Sequence, residues 1–448
     1  MKTSTAFGIE VGDRLDGMPI VALHLAIMLV CGLGLTFDLL EIALGSALSA
    51  VFSQPPHRIE PAQLSWVLSA VFVGAIVGAP VLGRWADRFG RRTMLSAMLL
   101  WLGVTSLGAA FSSDITALIV FRVLAGLSLG AYPPTVIAFL TDVLPPARRG
   151  MQIFCVVALS TLGPVGAIFL VRWLTPIQPL GIEAWRWAFI VGAVGALIVG
   201  LLFLLIPESP RWLAKMGHES RARVALSRFQ RSRKVADADL ARTSDARDMD
   251  SAASGLVSPH ATRRAWRLIV GIFFLSPWAT AAFPLLAGAI LAQKGIKLSD
   301  ALLYLGLSLF GPTIGSSLAA ATLDRFERRT ALVFTGAGML VFGFVFVASS
   351  SPFWLVTSNL LFTTVGAVYI AGLNVYVAEL FPTDMRATRA AGAWALNRLG
   401  AAVGSLLLLP LMRSAGPYAM FAVVATSLLL SIGLLALAPR GRARCAVD

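Results

Sequence analysis

Twelve apolar runs, each long enough to cross a lipid bilayer, constrain this chain more than any other feature. A hydrocarbon core of about 30 Å takes roughly 20 apolar residues as helix. A helix also satisfies its own backbone polar groups, which hydrocarbon cannot do. Such runs occupy residues 21–51, 63–83, 93–112, 117–140, 151–173 and 186–206. A second set occupies 266–292, 301–323, 330–350, 353–377, 390–411 and 418–438. We number them spans 1 to 12. The expected fold is an all-α membrane protein of two six-helix bundles. Because the first run is long and many more follow it, it reads as a retained span and not as a cleaved signal peptide.

Composition agrees. Of 448 residues, 57% are hydrophobic and 13% are charged, against about 45–50% and about 25% in soluble proteins. A soluble enzyme and a disordered chain are excluded, since a water-soluble chain this apolar would expose patches it could not cover. The formal charge of +14 invites a nucleic-acid reading. Its location argues against one, because Lys and Arg fall in short clusters between apolar runs, as in membrane-protein loops. Cys31, Cys155 and Cys445 are too few and too scattered for a disulfide framework or a metal site.

The basic residues also orient the chain. With the N-terminus inside, the inner loops hold Arg84, Arg88, Arg91, Arg92, Arg148, Arg149, Arg325, Arg328, Arg329, Arg386 and Arg389. The outer loops hold only Arg58, Arg172, Arg186, Lys294, Lys297 and Arg413. The expected organisation is a cytoplasmic N-terminal segment (1–20), a first bundle (21–206), a cytoplasmic central loop (207–265), a second bundle (266–438) and a cytoplasmic tail (439–448). Residues 231–262 are rich in Arg, Asp, Ser and Ala without helical periodicity, and read as a flexible linker.

The halves repeat. Asp87, Arg88, Arg91 and Arg92 between spans 2 and 3 correspond to Asp324, Arg325, Arg328 and Arg329 between spans 8 and 9, 237 residues on. Asp142, Pro145 and Arg149 after span 4 correspond to Glu379, Pro382 and Arg386 after span 10 at the same offset. Two bundles in tandem place a substrate site near the midplane between them.

The loop Gly83-Arg84-Trp85-Ala86-Asp87-Arg88-Phe89-Gly90-Arg91-Arg92 resembles the signature between helices 2 and 3 of the major facilitator superfamily. It suits a gating latch. Gly83 would let two helices approach closely, and Asp87 would meet a helix N-terminus or a basic side chain in one conformer. The alternative is a plain positive-inside turn. The second copy has Glu327 where the glycine is expected. Pro207-Glu208-Ser209-Pro210-Arg211-Trp212-Leu213 after span 6 is similar to sugar porters and metabolite–proton symporters. So is Glu379-Leu380-Phe381-Pro382-Thr383, followed by Arg386-Ala387-Thr388. Arg122-Val123-Leu124-Ala125-Gly126 matches the superfamily's membrane-embedded arginine motif. The resemblance covers nearly the whole chain. It implies proton-driven alternating access without a cofactor, a monomer in a cell inner membrane, and a small organic acid or related metabolite as substrate.

Ionisable groups inside a span cost about 2.5–3.5 kcal/mol each on insertion scales, so each calls for a function. Asp38 and Glu41 share one face of span 1. Arg122 and Arg398 are the Lys/Arg residues placed well inside spans. Asp38 lies about 25 Å up span 1 at about 1.5 Å per residue, while Arg122 lies a turn or so below the outer end of span 4. Depth therefore favours Glu41 over Asp38 as its partner. A carboxyl that alternates between a dry site and an arginine alternately holds and sheds a proton, so Asp38 or Glu41, with Arg122, is the expected proton carrier. The competing reading is a buried pair that only locks span 1 to span 4. Arg398, preceded by Asn397, has no acid in its own span and suits a carboxylate substrate. The alternative is that it pairs with Asp38.

Asn374, Tyr376, Gln152, Trp278 and Phe283 are further candidates for the cavity wall, with helix–helix packing as the alternative. Pro277 and Pro284 predict a bent span 7. His24 reads as interfacial. Gly126/Gly130, Gly311/Gly315 and Gly400/Gly404 are small-residue packing pairs. A proton-coupled drug antiporter is the competing functional reading. It is supported by Gly163-Pro164 in span 5, but Leu159 stands where that motif has its first glycine. The chain carries no nucleophile–base set and no phosphate-binding glycine loop on the inner face, so neither an enzyme nor an ATP-driven pump is expected.

Overall fold

The computed structural model describes residues 2–146, 149–236, 259–380 and 383–438. Spans 1 to 6 are Ala22–Val51, Pro61–Phe89, Arg91–Ala110, Ile115–Val143, Arg149–Leu174 and Ala184–Leu205. Span 7 comprises Pro259–Pro277, a π-helical turn Trp278–Ala282 and Phe283–Gln293. Spans 8 and 9 are Leu298–Thr322 and Arg328–Ala348, and span 10 is Pro352–Leu380. The last helix, Thr383–Leu437, breaks at Gly416, whose φ is 86°. A residue with a Cβ resists that conformation, and Pro417 follows, so the run divides into spans 11 and 12. The bend expected in span 7 is present as the π turn between its two prolines, a known kink device.

Large apolar side chains face outward, among them Leu29 (63% exposed) and Phe334 (72%). The intramembrane charges Asp38, Glu41 and Arg122 lie inside, at 0–2%. That inversion is what a lipid solvent requires.

Glycine seats fix the packing within each bundle. Gly74 and Gly78 of span 2 lie on the backbone of span 4, where a Cβ on Gly78 would come within 2.6 Å of Leu127 Cα. Gly311 and Gly315 of span 8, 237 residues on, lie on span 10 in the same way, and a Cβ on Gly311 would stand 2.7 Å from the Leu360 carbonyl. Gly163 of span 5 faces the Thr36 carbonyl of span 1, and Gly400 of span 11 faces the Phe274 backbone of span 7. The repeat seen in the loops therefore continues through the membrane, with small residues bringing helix axes together.

Hydrogen bonds between the bundles gather away from the basic loops. Gln54 donates to the Ile296 carbonyl at 3.1 Å and Arg172 to the Ser299 carbonyl at 3.1 Å. Nearby, Gly288 of span 7 sits against Ser46 and Ala50 of span 1, leaving no room for a Cβ. At mid-depth the Thr161 and Thr313 hydroxyls meet at 2.7 Å.

The segments flanking the bundles carry helices of their own. Residues 1–20 contain the helix Lys2–Asp16, and the central loop contains Pro210–Lys215 and Glu219–Ala236. The last of these runs into the stretch read as a linker, and span 7 begins within its far end, at Pro259. The reason is an amphipathic stripe: Ala222, Ala225, Leu226 and Phe229 are all buried, at the i, i+3, i+4, i+7 spacing of a helix face. High average polarity hides such a stripe. Residues 237–258 of the linker and 439–448 of the tail lie outside the described residues.

Candidate functional site

Spans 1, 3 and 4 build a buried ion pair. Arg122 Nη1 stands 3.5 Å from Glu41 Oε1, both side chains being almost wholly buried. Arg122 Nε donates to the Val67 carbonyl at 2.9 Å. Ser106 Oγ donates to the other Glu41 oxygen at 2.8 Å. The guanidinium lies over the Phe189 ring, 5.7 Å from its centroid. The geometry thus selects Glu41, the residue that depth favours. Arg122 Nη2 is left without a partner, so the pair is not fully satisfied.

Asp38, nearly one turn from Glu41, is different. It is fully buried, and among the described residues neither carboxyl oxygen has a hydrogen-bond partner. The charged groups whose fields reach it are Arg398 of span 11 and Glu41. Arg398 is partly exposed, and among the described residues nothing hydrogen-bonds it. Its guanidinium lies 5.8 Å from the centroid of Trp394, whose indole donates to Asn374 Oδ1 at 2.9 Å. The alternative of a direct Asp38–Arg398 ion pair is not what the structure shows. The two act on one another across the bundle seam without touching, which leaves the arginine's donors available.

The other sequence candidates scatter. Asn397 is buried next to Arg398 in sequence. Trp278 packs beside Gly404 and its indole nitrogen has no partner. Gln152 lies in span 5, and its amide oxygen has no partner among the described residues. Tyr376 is fully buried within the electrostatic reach of Arg329 and Glu327, so it belongs with the second latch loop and not with Arg398. Phe283 packs against Phe346, Phe362 and Phe421 in the core of the second bundle. His24 lies at the inner end of span 1, as its sequence position implies, and its side chain is fully buried. It accepts from the Val21 amide at 3.1 Å, and its other ring nitrogen meets the Val143 carbonyl at 3.2 Å.

On the basic face, Glu208 occupies the role expected of an acid at the latch. Its carboxylate accepts from the Arg92 amide at 3.0 Å and the Thr93 amide at 3.4 Å, capping the N-terminus of span 3, where amides are unpaired and the helix dipole favours an anion. Arg91 pairs with Asp142, and Ser209 Oγ donates to the same carboxylate at 3.0 Å. Asp87 offers its backbone carbonyl to Trp212 at 2.8 Å while its side chain is exposed. Gly83 has nothing near its missing side chain. The glycine that permits close approach is Gly90, with φ of 104° and the Glu208 carboxylate against it. Arg88 lies exposed over Phe89 at 5.5 Å. Arg149 donates to the Leu144 carbonyl at 2.8 Å and pairs with Asp16 at 3.4 Å. Arg325 is exposed. The side chains of Asp324, Glu379 and Arg386 lie outside the described residues.

Two residues take roles that sequence reasoning did not assign: Ser106 as a donor to Glu41 and Glu208 as the cap of span 3. Neither position carries a periodic signal.

Residues 25–437 match the sugar (and other) transporter family. The niacin transporter of Acinetobacter baylyi is 25% identical over 411 residues, covering 90% of this chain and 91% of that protein. The 4-hydroxybenzoate transporter of the same organism is 27% identical over 409 residues, covering 87% and 85%. The xylose transporter of E. coli, in a partially occluded inward open conformation, superposes with a TM-score of 0.74 at 18% identity, covering 94% of this chain and 98% of that one. The chain belongs to the sugar (and other) transporter family of the major facilitator superfamily, and is a multi-pass membrane transporter, not an enzyme.

Proposed function

We propose that this transporter takes up a small organic acid together with protons by alternating access, from a cell inner membrane, with its basic face and both termini in the cytoplasm. The observation that carries the reading is the arrangement of the four intramembrane charges. Glu41 and Arg122 are paired, and among the described residues Asp38 is buried without a hydrogen-bond partner and nothing hydrogen-bonds Arg398 across the seam. In this reading a substrate carboxylate takes both arms of Arg398, a geometry that guanidinium matches and ammonium does not. The Trp394 ring stands beside it, its indole held by Asn374, to pack and orient an aromatic body. The relatives named for niacin and 4-hydroxybenzoate support an aromatic carboxylate, because both compounds are planar acids.

Asp38 carries the proton. When substrate neutralises Arg398, the field that favours the ionised carboxyl weakens, so anion and proton travel together. Glu41 and Arg122 hold span 1 to span 4 and set the local potential. The contacts on the face opposite the basic loops, at Gly288, Gln54 and Arg172, support assigning this conformer to the inward-facing half of the cycle. The latch residues close the basic face in the other half, when Asp87 gains a partner.

The test is uptake of a labelled aromatic carboxylate into proteoliposomes with an acidic outside. The reading expects accumulation that collapses with the pH gradient and is lost in Asp38→Asn. Accumulation indifferent to the gradient would sink proton coupling, and expulsion of substrate under the same gradient would identify an antiporter.

A further inference from the structure

Tyr132 of span 4 is fully buried, and among the described residues its hydroxyl has no hydrogen-bond partner. A buried tyrosine normally satisfies its hydroxyl, because leaving a polar group dry and unpaired is costly. This ring is not idle filler. It lies directly over Gly34 of span 1, where a Cβ would stand 2.7 Å from Tyr132 Cζ and closer still to the hydroxyl oxygen. Gly34 therefore makes the space that the phenol tip occupies. Asp38 is one helical turn further along span 1, on the same face, and both its oxygens are also unpartnered. A buried donor without an acceptor and a buried acceptor without a donor thus sit about one turn apart on one seam. The groups that act on Asp38 are Glu41 of its own span and Arg398 of span 11. Those that act on the Tyr132 hydroxyl include Asp38 and the Cys31 thiol. No other element among those described presents Asp38 with a hydrogen-bond donor.

We infer that Tyr132 is a positioning residue for the proton step, its hydroxyl donating to the Asp38 carboxylate once the proton has left, with Gly34 as the gap that admits it. The inference rests on the reading of Asp38 as proton carrier. A hydrogen bond given to a carboxylate favours its ionised form. Tyr132 would hold the discharged state long enough for the carrier to reset, without competing for the proton itself.

The test uses Tyr132→Phe, which keeps the ring on Gly34 and removes only the donor. Full-length protein in proteoliposomes is assayed for substrate exchange at equal pH on both sides, across a pH series, with 4-hydroxybenzoate as probe. The pH midpoint should move alkaline by about one unit, the scale of a hydrogen bond to a charged acceptor, with unchanged exchange at the acidic plateau. In an Asp38→Asn background the same substitution should shift nothing. A wild-type midpoint in Tyr132→Phe, or a fall in rate equal at every pH, would overturn the positioning role. If Asp38→Asn alone abolished gradient-driven accumulation, the proton-carrier reading would survive that loss. If Asp38→Asn retained full accumulation, both would fall.

Discussion

Where the first bundle places Glu41 against Arg122, the second offers Trp278 and Asn359, the residues 237 positions on. Asp38 has Leu275 as its counterpart, and Arg398 of the second bundle has Thr161 in the first. The scaffold around these positions is nonetheless duplicated, glycine for glycine, at Gly74 and Gly311, Gly78 and Gly315, and Gly163 and Gly400. The contrast teaches what each kind of residue is for. Close helix contacts admit no side chain and so look alike in both halves. Charges in hydrocarbon are kept only where something uses them, and here they are divided unequally. On the proposed reading the first bundle handles the proton and the second presents a cation to the substrate.

The contrast is sharpest in stability. Glu41→Gln leaves Arg122 buried without its counter-charge and should cost about 3–5 kcal/mol, read as a large drop in melting temperature in detergent. Asn359→Leu, at the position that repeats Arg122 in the second bundle, should cost about 1 kcal/mol or less, because Asn359 Oδ1 has no partner to lose among the described residues. Equal losses at the two positions would break the asymmetry. For substrate, Arg398→Lys should raise KM about tenfold or more, since an ammonium cannot replace a two-armed contact. Thr161→Val should change KM little. An unaltered affinity in Arg398→Lys would remove Arg398 from the binding site.

The shared scaffold predicts parity instead. Gly74→Ala and Gly311→Ala should each destabilise by about 1–3 kcal/mol through overpacking, and a marked difference between them would mean that the halves are packed under different constraints. The smallest effect is expected at the latch. Glu208→Gln keeps an acceptor at the N-terminus of span 3 but removes its charge, and should cost about 0.3–1 kcal/mol, with thermal unfolding as the readout.

Much of this was legible beforehand because membrane folding leaves few options. Apolar length gave the spans, and the loop offset gave the duplication. Depth along two helices of opposite direction was enough to prefer Glu41 over Asp38 for Arg122. The rest is not written in the sequence. Chemistry alone singles out Tyr376 and Phe283, and chemistry does not say which face of a helix looks inward. The helix Glu219–Ala236 has a short buried stripe surrounded by arginine, which average polarity hides. Glu208 and Gly90 were quoted as parts of two separate motifs. Nothing in their sequence positions, more than a hundred residues apart, says that one carboxylate sits on the other's backbone.

The Glu208 cap has a consequence for how force travels. Glu208 holds the start of span 3, and Asp142 holds Arg91 and Ser209. Asp16 of the N-terminal helix grips both Arg149 and Arg211. These bonds link the N-terminal helix, the start of span 3, the end of span 4, the start of span 5 and the helix Pro210–Lys215 on the basic face. A displacement of any one of them therefore strains contacts to the others before it reaches the membrane interior.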